Sequence, residues 1–266
     1  MSDTTANRLE ELLKELHLPA MRASYQEVTR TAIAESLSYE AYLCELLTCE
    51  CEVRRRNRIE RLLRESRLPL EKTLESFDLS RFPRRLQQQV AALLDGGFLG
   101  RKENVLAFGN PGSGKTHLLC GLCQEMVHKG YRVRYTTTSL LVQELLAAKR
   151  DLVLPNKLRR LGVYDALLID DLGYVQQNRE EMEVLFTLLA ERYERGSVLI
   201  TSNLPFSKWE SIFKDPMTTA AAIDRLVHHS VILELNLPSY RMEAARKNGQ
   251  KPKDPSDAGS AGEGET

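Results

Sequence analysis

The residues best equipped for chemistry lie between 104 and 116, where Asn-Val-Leu-Ala-Phe runs into Gly-Asn-Pro-Gly-Ser-Gly-Lys-Thr. The segment Gly109-Asn110-Pro111-Gly112-Ser113-Gly114-Lys115-Thr116 has the spacing of a P-loop. Backbone N–H groups of such a loop converge on phosphate oxygens, Lys115 supplies a mobile cation, and Thr116 offers a hydroxyl to Mg²⁺. Glycine lets the chain turn tightly and lets phosphate approach with no Cβ in the way. His117 opens the apolar stretch behind the loop, which is expected to be a helix whose free N–H groups and dipole add to the anion site. ATP with Mg²⁺ is the expected ligand. A glycine turn that binds no nucleotide would need neither the apolar strand before it nor the helix after it.

A second chemical constellation begins at Tyr164, where Asp-Ala-Leu-Leu-Ile leads to Asp170 and Asp171. Four apolar residues ending in paired carboxylates describe a buried strand with acids at its C-terminal edge, where parallel sheets place their active sites. Together with the P-loop, Asp170 is expected to hold the metal through water, and Asp171 to orient or deprotonate the attacking water. The run from Ser197 to Asn203 is another buried strand with a polar tip, which brings Asn203 toward the γ-phosphate or the water. Arg225 sits among small apolar residues on an expected helix from Thr218 to Val227. There it either faces a subunit interface or pairs with Asp224.

These groups need a scaffold, and the chain is long enough to build one. Its 266 residues fit one large or two modest domains, and its net charge of +0 gives no global sign of nucleic-acid binding. No apolar stretch approaches the roughly 18 to 20 residues of a membrane span. The first residues lack the features of a signal peptide, so a cytoplasmic address is expected. An odd set of five cysteines points to free thiols. Cys120 and Cys123 form a Cys-x-x-Cys pair, but on the helix behind the P-loop they read as small apolar packing residues.

Before the P-loop, Leu9, Leu12, Leu13 and Leu16 form the stripe of an amphipathic helix, a second helix is expected from Met21 to Ala34, and a third starts at Ser38 as N-cap. The chain therefore divides into a small all-α region (1–68), an α/β nucleotide-binding domain with a parallel sheet (69–246) and a polar tail expected to be disordered (247–266). Between 69 and 103 the apolar residues are expected to include the wall for adenine. The third helix runs into a stretch, 54–67, with seven arginines against two glutamates, a net +5. Arg54, Arg55, Arg56, Arg58 and Arg61 there could neutralise phosphates whatever the base sequence, or form a solvated face paired with acids upstream. Lys149 and Arg150 begin a second basic stretch with the same two readings.

Taken together, the P-loop, the Leu167-Leu168-Ile169-Asp170-Asp171 strand, the Ile200-Thr201-Ser202-Asn203 strand and the Ile223-Asp224-Arg225-Leu226 helix resemble the AAA+ ATPases of the IstB and DnaC-like clade. The arginine-rich helix leading into Leu68-Pro69 and Leu74-Glu75-Ser76-Phe77-Asp78, with the closing Pro238-Ser239-Tyr240-Arg241, resembles IstB, the ATP-dependent helper of insertion-sequence transposition. The resemblance implies that Lys115 and Thr116 belong to Walker A, Asp170 and Asp171 to Walker B, Asn203 to sensor 1, and Arg225 to an arginine finger acting on a neighbouring subunit. It also implies ATP-dependent homo-oligomers on double-stranded DNA and an IstA-like partner transposase. The second Walker B acid is Asp where many relatives have Glu, which leaves more distance to the water and favours a slow switch over a motor. Too little chain follows Leu235 for a full C-terminal helical lid, so a sensor 2 role for Arg241 is weakly founded. A DnaC-like replicative helicase loader is the alternative reading. A metabolic P-loop kinase fits less well, because an interface arginine would be redundant in it.

Overall fold

The computed structural model describes residues 2–173, 178–209 and 216–237. Successive residues of a strand point to opposite faces, and β1 (Asn104–Gly109) uses both of them: Val105 and Ala107 enter one core, Leu106 the other. The same split runs through β3 (Ala166–Leu172) and β4 (Ser197–Ser202), with Leu168 and Leu199 on the first side and Leu167, Ile169, Val198 and Ile200 on the second. With β2 (Val133–Thr137) and β5 (Ser230–Leu235) these strands form a parallel sheet in the order β2-β3-β4-β1-β5. Burial on both faces explains the unbroken apolar runs. The order leaves β4 between the strand that precedes the P-loop and the strand that carries the acids.

Helices precede and cover the sheet. In chain order they are α1 (Ser2–Glu15), α2 (Pro19–Ala34), α3 (Tyr39–Ser66), α4 (Arg84–Leu94), the single turn α5 (Gly97–Gly100), α6 (Lys115–His128), α7 (Thr138–Arg150), α8 (Leu154–Gly162), α9 (Arg179–Arg192) and α10 (Pro216–Val227). Helices α4 and α6 fill the first core, and α7 to α10 fill the second. No described helix is long and apolar enough to cross a membrane.

The first three helices share a small core of Leu13, Met21, Tyr25, Val28 and Leu46. Ser38 caps α3 as its residue type predicts, its Oγ accepting from the Ala41 N–H at 3.2 Å. Helix α2 has no side-chain cap of its own. Its free N–H groups at Ala20 and Met21 donate instead to the Glu50 carboxylate at 2.8 and 3.1 Å, and the Nε of Arg54 joins them at 2.8 Å. The leucine stripe of α1 is used sparingly: Leu13 is buried, whereas Leu9, Leu12 and Leu16 are exposed.

Helix α3 is one unbroken rod of 28 residues. Its first half belongs to the small core, and its last turns bring Leu62 and Leu63 into the core of the sheet, with Leu68 following. Arg58 Nη2 donates to the Gly130 carbonyl at 3.3 Å, and Arg132 meets Glu65 at 3.6 Å, which fastens the rod to the end of α6 and the start of β2.

Candidate nucleotide-binding site

The P-loop leaves β1 and enters α6 through Gly112 and Gly114, whose φ angles of 79° and 97° lie in the left-handed region open to glycine. Lys115 is the first residue of α6, and its Nζ donates to the Gly109 and Asn110 carbonyls at 2.8 and 2.9 Å. Burial pushes this ammonium below its ordinary pKa, against the opposing charges of Asp171 and Asp170. Ser113 Oγ is buried and, among the described residues, has no hydrogen-bond partner.

Asp170 is the centre of a wired cluster. Its Oδ1 accepts from Thr116 Oγ1 at 2.8 Å and from Thr201 Oγ1, and its Oδ2 accepts from the Tyr135 hydroxyl at 3.1 Å. Its backbone carbonyl accepts from Thr138 Oγ1 at 2.9 Å. The carboxylate is thus held from the P-loop, from β4 and from β2 at once. Burial, then the negative charge of Asp170, raises the Tyr135 phenol, which therefore stays a neutral donor.

Asp171 solves a geometric problem. Two successive strand residues should face opposite ways, yet both acids line one cavity. The register between β3 and β4 slips between Ile169 and Leu172, and Asp171 takes a φ of 60°, a left-handed conformation that Asp tolerates better than most residues. Its N–H donates to Thr201 Oγ1 at 2.8 Å, which anchors the irregular turn.

The opposite wall comes from residues 69–83, a strap laid across α6 and the P-loop. Gln124 Nε2 donates to the Pro69 and Lys72 carbonyls, each at 3.1 Å. Leu74 packs on Gly121, where a Cβ would lie 2.8 Å from the Leu74 nitrogen. The His117 ring meets the Thr73 carbonyl at 2.8 Å and Ser76 Oγ at 3.1 Å through Nε2. Phe77 stacks on Phe82 with centroids 5.5 Å apart, and its ring so closely covers Gly114 that a Cβ there would lie 2.8 Å from it. P-loop, acids and strap enclose a cavity of about 620 Å³, within the range of small-ligand sites.

Pro111 to His117, Asp170, Asp171 and Asn203 all line this cavity, and Gly109 and Asn110 adjoin it through the Lys115 bonds. Phe77 and Phe82 are the apolar members of the strap wall, where the sequence places an adenine without naming its residues. Arg225 is not among the lining residues: its guanidinium lies over the Phe186 ring, 4.7 Å from the centroid, and donates to the Ala221 carbonyl at 3.3 Å. Cys120 and Cys123 are buried behind the loop; burial pushes the Cys120 thiol up to about 12 and the Cys123 thiol well above its ordinary value, so both pack as neutral groups. Arg241 and the rest of the Pro238-Ser239-Tyr240-Arg241 signature lie outside the described residues, as does all of the chain from 238 onward, where a C-terminal lid would fall.

The basic residues are all accessible but differently engaged. Arg54 is committed to Glu50 and the His17 carbonyl, Arg58 to Gly130, Arg61 to Glu65 at 3.9 Å, and Lys149 to Glu183 at 3.1 Å. Arg55, Arg56 and Arg150 are exposed side chains. Sequence reasoning missed Tyr135, Thr138 and Thr201 as partners of Asp170, and the path of the strap across α6 and the P-loop. The polar tips of β2 and β4 are the signal for the first group, since the sheet order brings those tips together.

A five-stranded parallel sheet carrying a P-loop after β1 and paired acids at the end of β3 defines a P-loop nucleotide-binding protein of the AAA+ class. Solved structures share the fold: DnaA from Aquifex aeolicus bound to AMPPCP matches with a TM-score of 0.54 at 21% identity, covering 68% of this chain and 55% of DnaA, and a DnaC helicase loader matches with a TM-score of 0.53 at 16% identity, covering 62% and 96%. This chain thus spans about half of that DnaA chain. The chain belongs to the IstB-like ATP binding protein family, whose model matches residues 11–248. It is 41% identical to a protein of Sinorhizobium fredii named as an insertion sequence ATP-binding protein, over 91% of this chain and 83% of that one. It is 35% identical to one of Geobacillus stearothermophilus named for insertion sequence IS5376, covering 93% and 98%, and 36% identical to one of Pseudomonas aeruginosa named for IS21, covering 91% and 92%.

Proposed function

We propose that this protein is an ATP-dependent transposition helper. In this reading it assembles as a homo-oligomer on double-stranded DNA in the cytoplasm, remodels or bends it, and recruits and activates an IstA-like partner transposase. The observation that carries the nucleotide part is the Thr116 to Asp170 hydrogen bond, which joins the P-loop to the acid strand inside a cavity of nucleotide size. The transposition part rests on family membership and on relatives named for insertion sequences.

The residues fit a Mg²⁺-nucleotide. The loop offers backbone donors, Ser113 Oγ is a buried group awaiting a partner, and Thr116 with Asp170 forms an all-oxygen set of the kind Mg²⁺ prefers. Bound there, Mg²⁺ would neutralise charge on the β- and γ-phosphates. Lys115 moves from the Gly109 and Asn110 carbonyls to phosphate oxygens. Asp171 and Asn203 orient the attacking water, and the short Asp171 side chain keeps turnover slow. Arg225, outside its own cavity, acts at the site of a neighbouring subunit. Residues 1–68 serve as the DNA- and partner-binding region, 69–246 as the ATPase domain and 247–266 as a tail. Arg55, Arg56 and Arg150, together with Arg54, Arg58, Arg61 and Lys149, contact DNA phosphates.

The test is binding to a long duplex and to a single strand of equal length, each with ATP, with ADP and without nucleotide, read by gel shift and particle size. Tight, ATP-dependent assembly on duplex is the expected outcome. Preference for the single strand would replace this reading with a helicase loader.

A further inference from the structure

Away from the nucleotide cavity, three side chains with metal-ligand chemistry meet on the surface. Glu194 follows α9, and His228 and His229 join α10 to β5. One ligand atom from each lies within 4.8 Å of the other two, and all three residues are exposed.

The cluster is braced. The Tyr193 hydroxyl stands 2.9 Å from His228 Nδ1, so a neighbouring phenol orients one of the two imidazoles. The two imidazoles meet edge to face with centroids 4.2 Å apart. The backbone of the pair is fixed as well: the His229 carbonyl accepts from the Asn104 N–H at 2.7 Å, which ties it to the start of β1.

The charges around the cluster are of both signs. The Asp224 carboxylate acts on Tyr193, and Glu103, held low chiefly by Arg101, also interacts with His229. The last carbonyls of α10 point the negative end of that helix at the cluster. Arg225, one turn earlier on α10, and Arg101, bidentate on Glu103, are the opposing charges.

We propose that Glu194, His228 and His229 form a binding site for a d-block dication of the Zn²⁺ class. Two imidazole nitrogens and one carboxylate oxygen are a borderline-soft donor set that suits Zn²⁺, Co²⁺ or Ni²⁺ and discriminates against Mg²⁺, which takes oxygen. Three protein ligands leave a fourth position open to water or to a partner's side chain. Tyr193 plays the part of the outer group that fixes a ligand's orientation. The site shares no residue with the Thr116 and Asp170 pair, so it stands whether or not that pair holds Mg²⁺.

The experiment is calorimetric titration of the full chain with Zn²⁺, and separately with Co²⁺ followed by its visible absorption. Both are done after alkylation of the exposed thiols, because Cys44 and Cys51 would take the same ions. One ion per chain is expected, undisturbed by millimolar Mg²⁺. Affinity should fall about 10-fold or more in His228→Ala and in His229→Ala, and about 10-fold in Tyr193→Phe, which removes no ligand. All three ligands are exposed, so the thermal midpoint without metal should be unchanged, and His229→Gln serves as a second variant if His229→Ala folds poorly. No binding after alkylation, or binding of equal strength in the double variant of His228 and His229, overturns the proposal.

Discussion

Thr116 and Asp170 stand 54 residues apart in sequence and 2.8 Å apart in space, the hydroxyl donating to the carboxylate. One group lies in the first turn of the helix behind the P-loop and the other near the C-terminal end of β3, so this bond sets the distance between the phosphate cradle and the acids. Replacing Lys115 by Ala removes the only cation of the loop segment 109–116. Nucleotide affinity, measured with a fluorescent ATP analogue, should fall by about 10- to 100-fold, as loss of charge-assisted hydrogen bonds entails, and ATP-dependent assembly should disappear with it. Normal assembly in this variant would remove the cavity from the function.

The strap makes a separate prediction. Phe77 covers Gly114 and stacks on Phe82, so Phe77→Ala uncovers the loop from the side opposite the acids. Nucleotide affinity should drop by about 10-fold, while an intact P-loop keeps some binding. Proteolysis across 69–83 should become faster and be slowed again by ATP. Unaltered affinity and cleavage would show that the strap is a passive connection.

Glu50 gives the small helical core a pH dependence. Its burial, at 3% exposure, would raise its pKa, but hydrogen bonds from Arg54, Met21 and Ala20 outweigh that and leave it below the ordinary 4.5. A carboxylate depressed on folding contributes stability above its unfolded pKa and loses it as pH falls through the folded value. Glu50→Gln should therefore cost about 1 to 3 kcal/mol near neutral pH, and the difference from the parent should shrink as pH drops below about 4.5. Differential scanning calorimetry across that window checks it, and a difference that stays constant with pH would assign the effect to shape alone.

Arg192 is buried at 3% exposure, and its guanidinium donates to the carbonyls of Leu161, Tyr164, Asp165 and Ser197. Burial lowers it to about 10, partly offset by Asp165, so it stays charged at neutral pH. Arg192→Met fills similar space but abandons four acceptors beneath β3 and β4, and should destabilise by about 3 kcal/mol or more. Gly196→Ala should also destabilise, because its Cβ would collide with the same guanidinium. Chemical denaturation reads both.

The arginine run divides into two expected behaviours. Arg55→Ala with Arg56→Ala removes exposed charge and should flatten the salt dependence of duplex affinity by about two units of slope with no loss of stability. Arg54→Ala instead removes the partner of Glu50 and should lower the thermal midpoint. An unchanged slope in the first pair would give this face to packing or protein contact.

Local chemistry made part of this legible in the sequence. The P-loop spacing and the Ser38 cap depend on neighbours in the chain, and the structure has both of them. The acids were readable as a pair, but not the left-handed turn at Asp171 that lets both face one cavity. Tyr135, Thr138 and Thr201 were opaque because they reach Asp170 only once the strand order is known. The strap was opaque for a different reason: 69–83 carries no periodicity, and its position is set by α6 side chains such as Gln124 and His117. Charge density likewise did not show that Arg54 and Arg58 also donate to the His17 and Gly130 carbonyls within the chain.

Helix α3 has no glycine or proline in its 28 residues, which at 1.5 Å per residue is a stiff beam about 42 Å long. Its last turns are bolted to α6 and β2, its first turns carry the small helical core, and the strap begins just past its end. Such a beam transmits torque but cannot absorb it. A tilt of about 10° at the bolted end sweeps the other by about 7 Å, so a small rotation there carries the core of α1 and α2 much further than the arginines at 54–67, which lie close to the pivot.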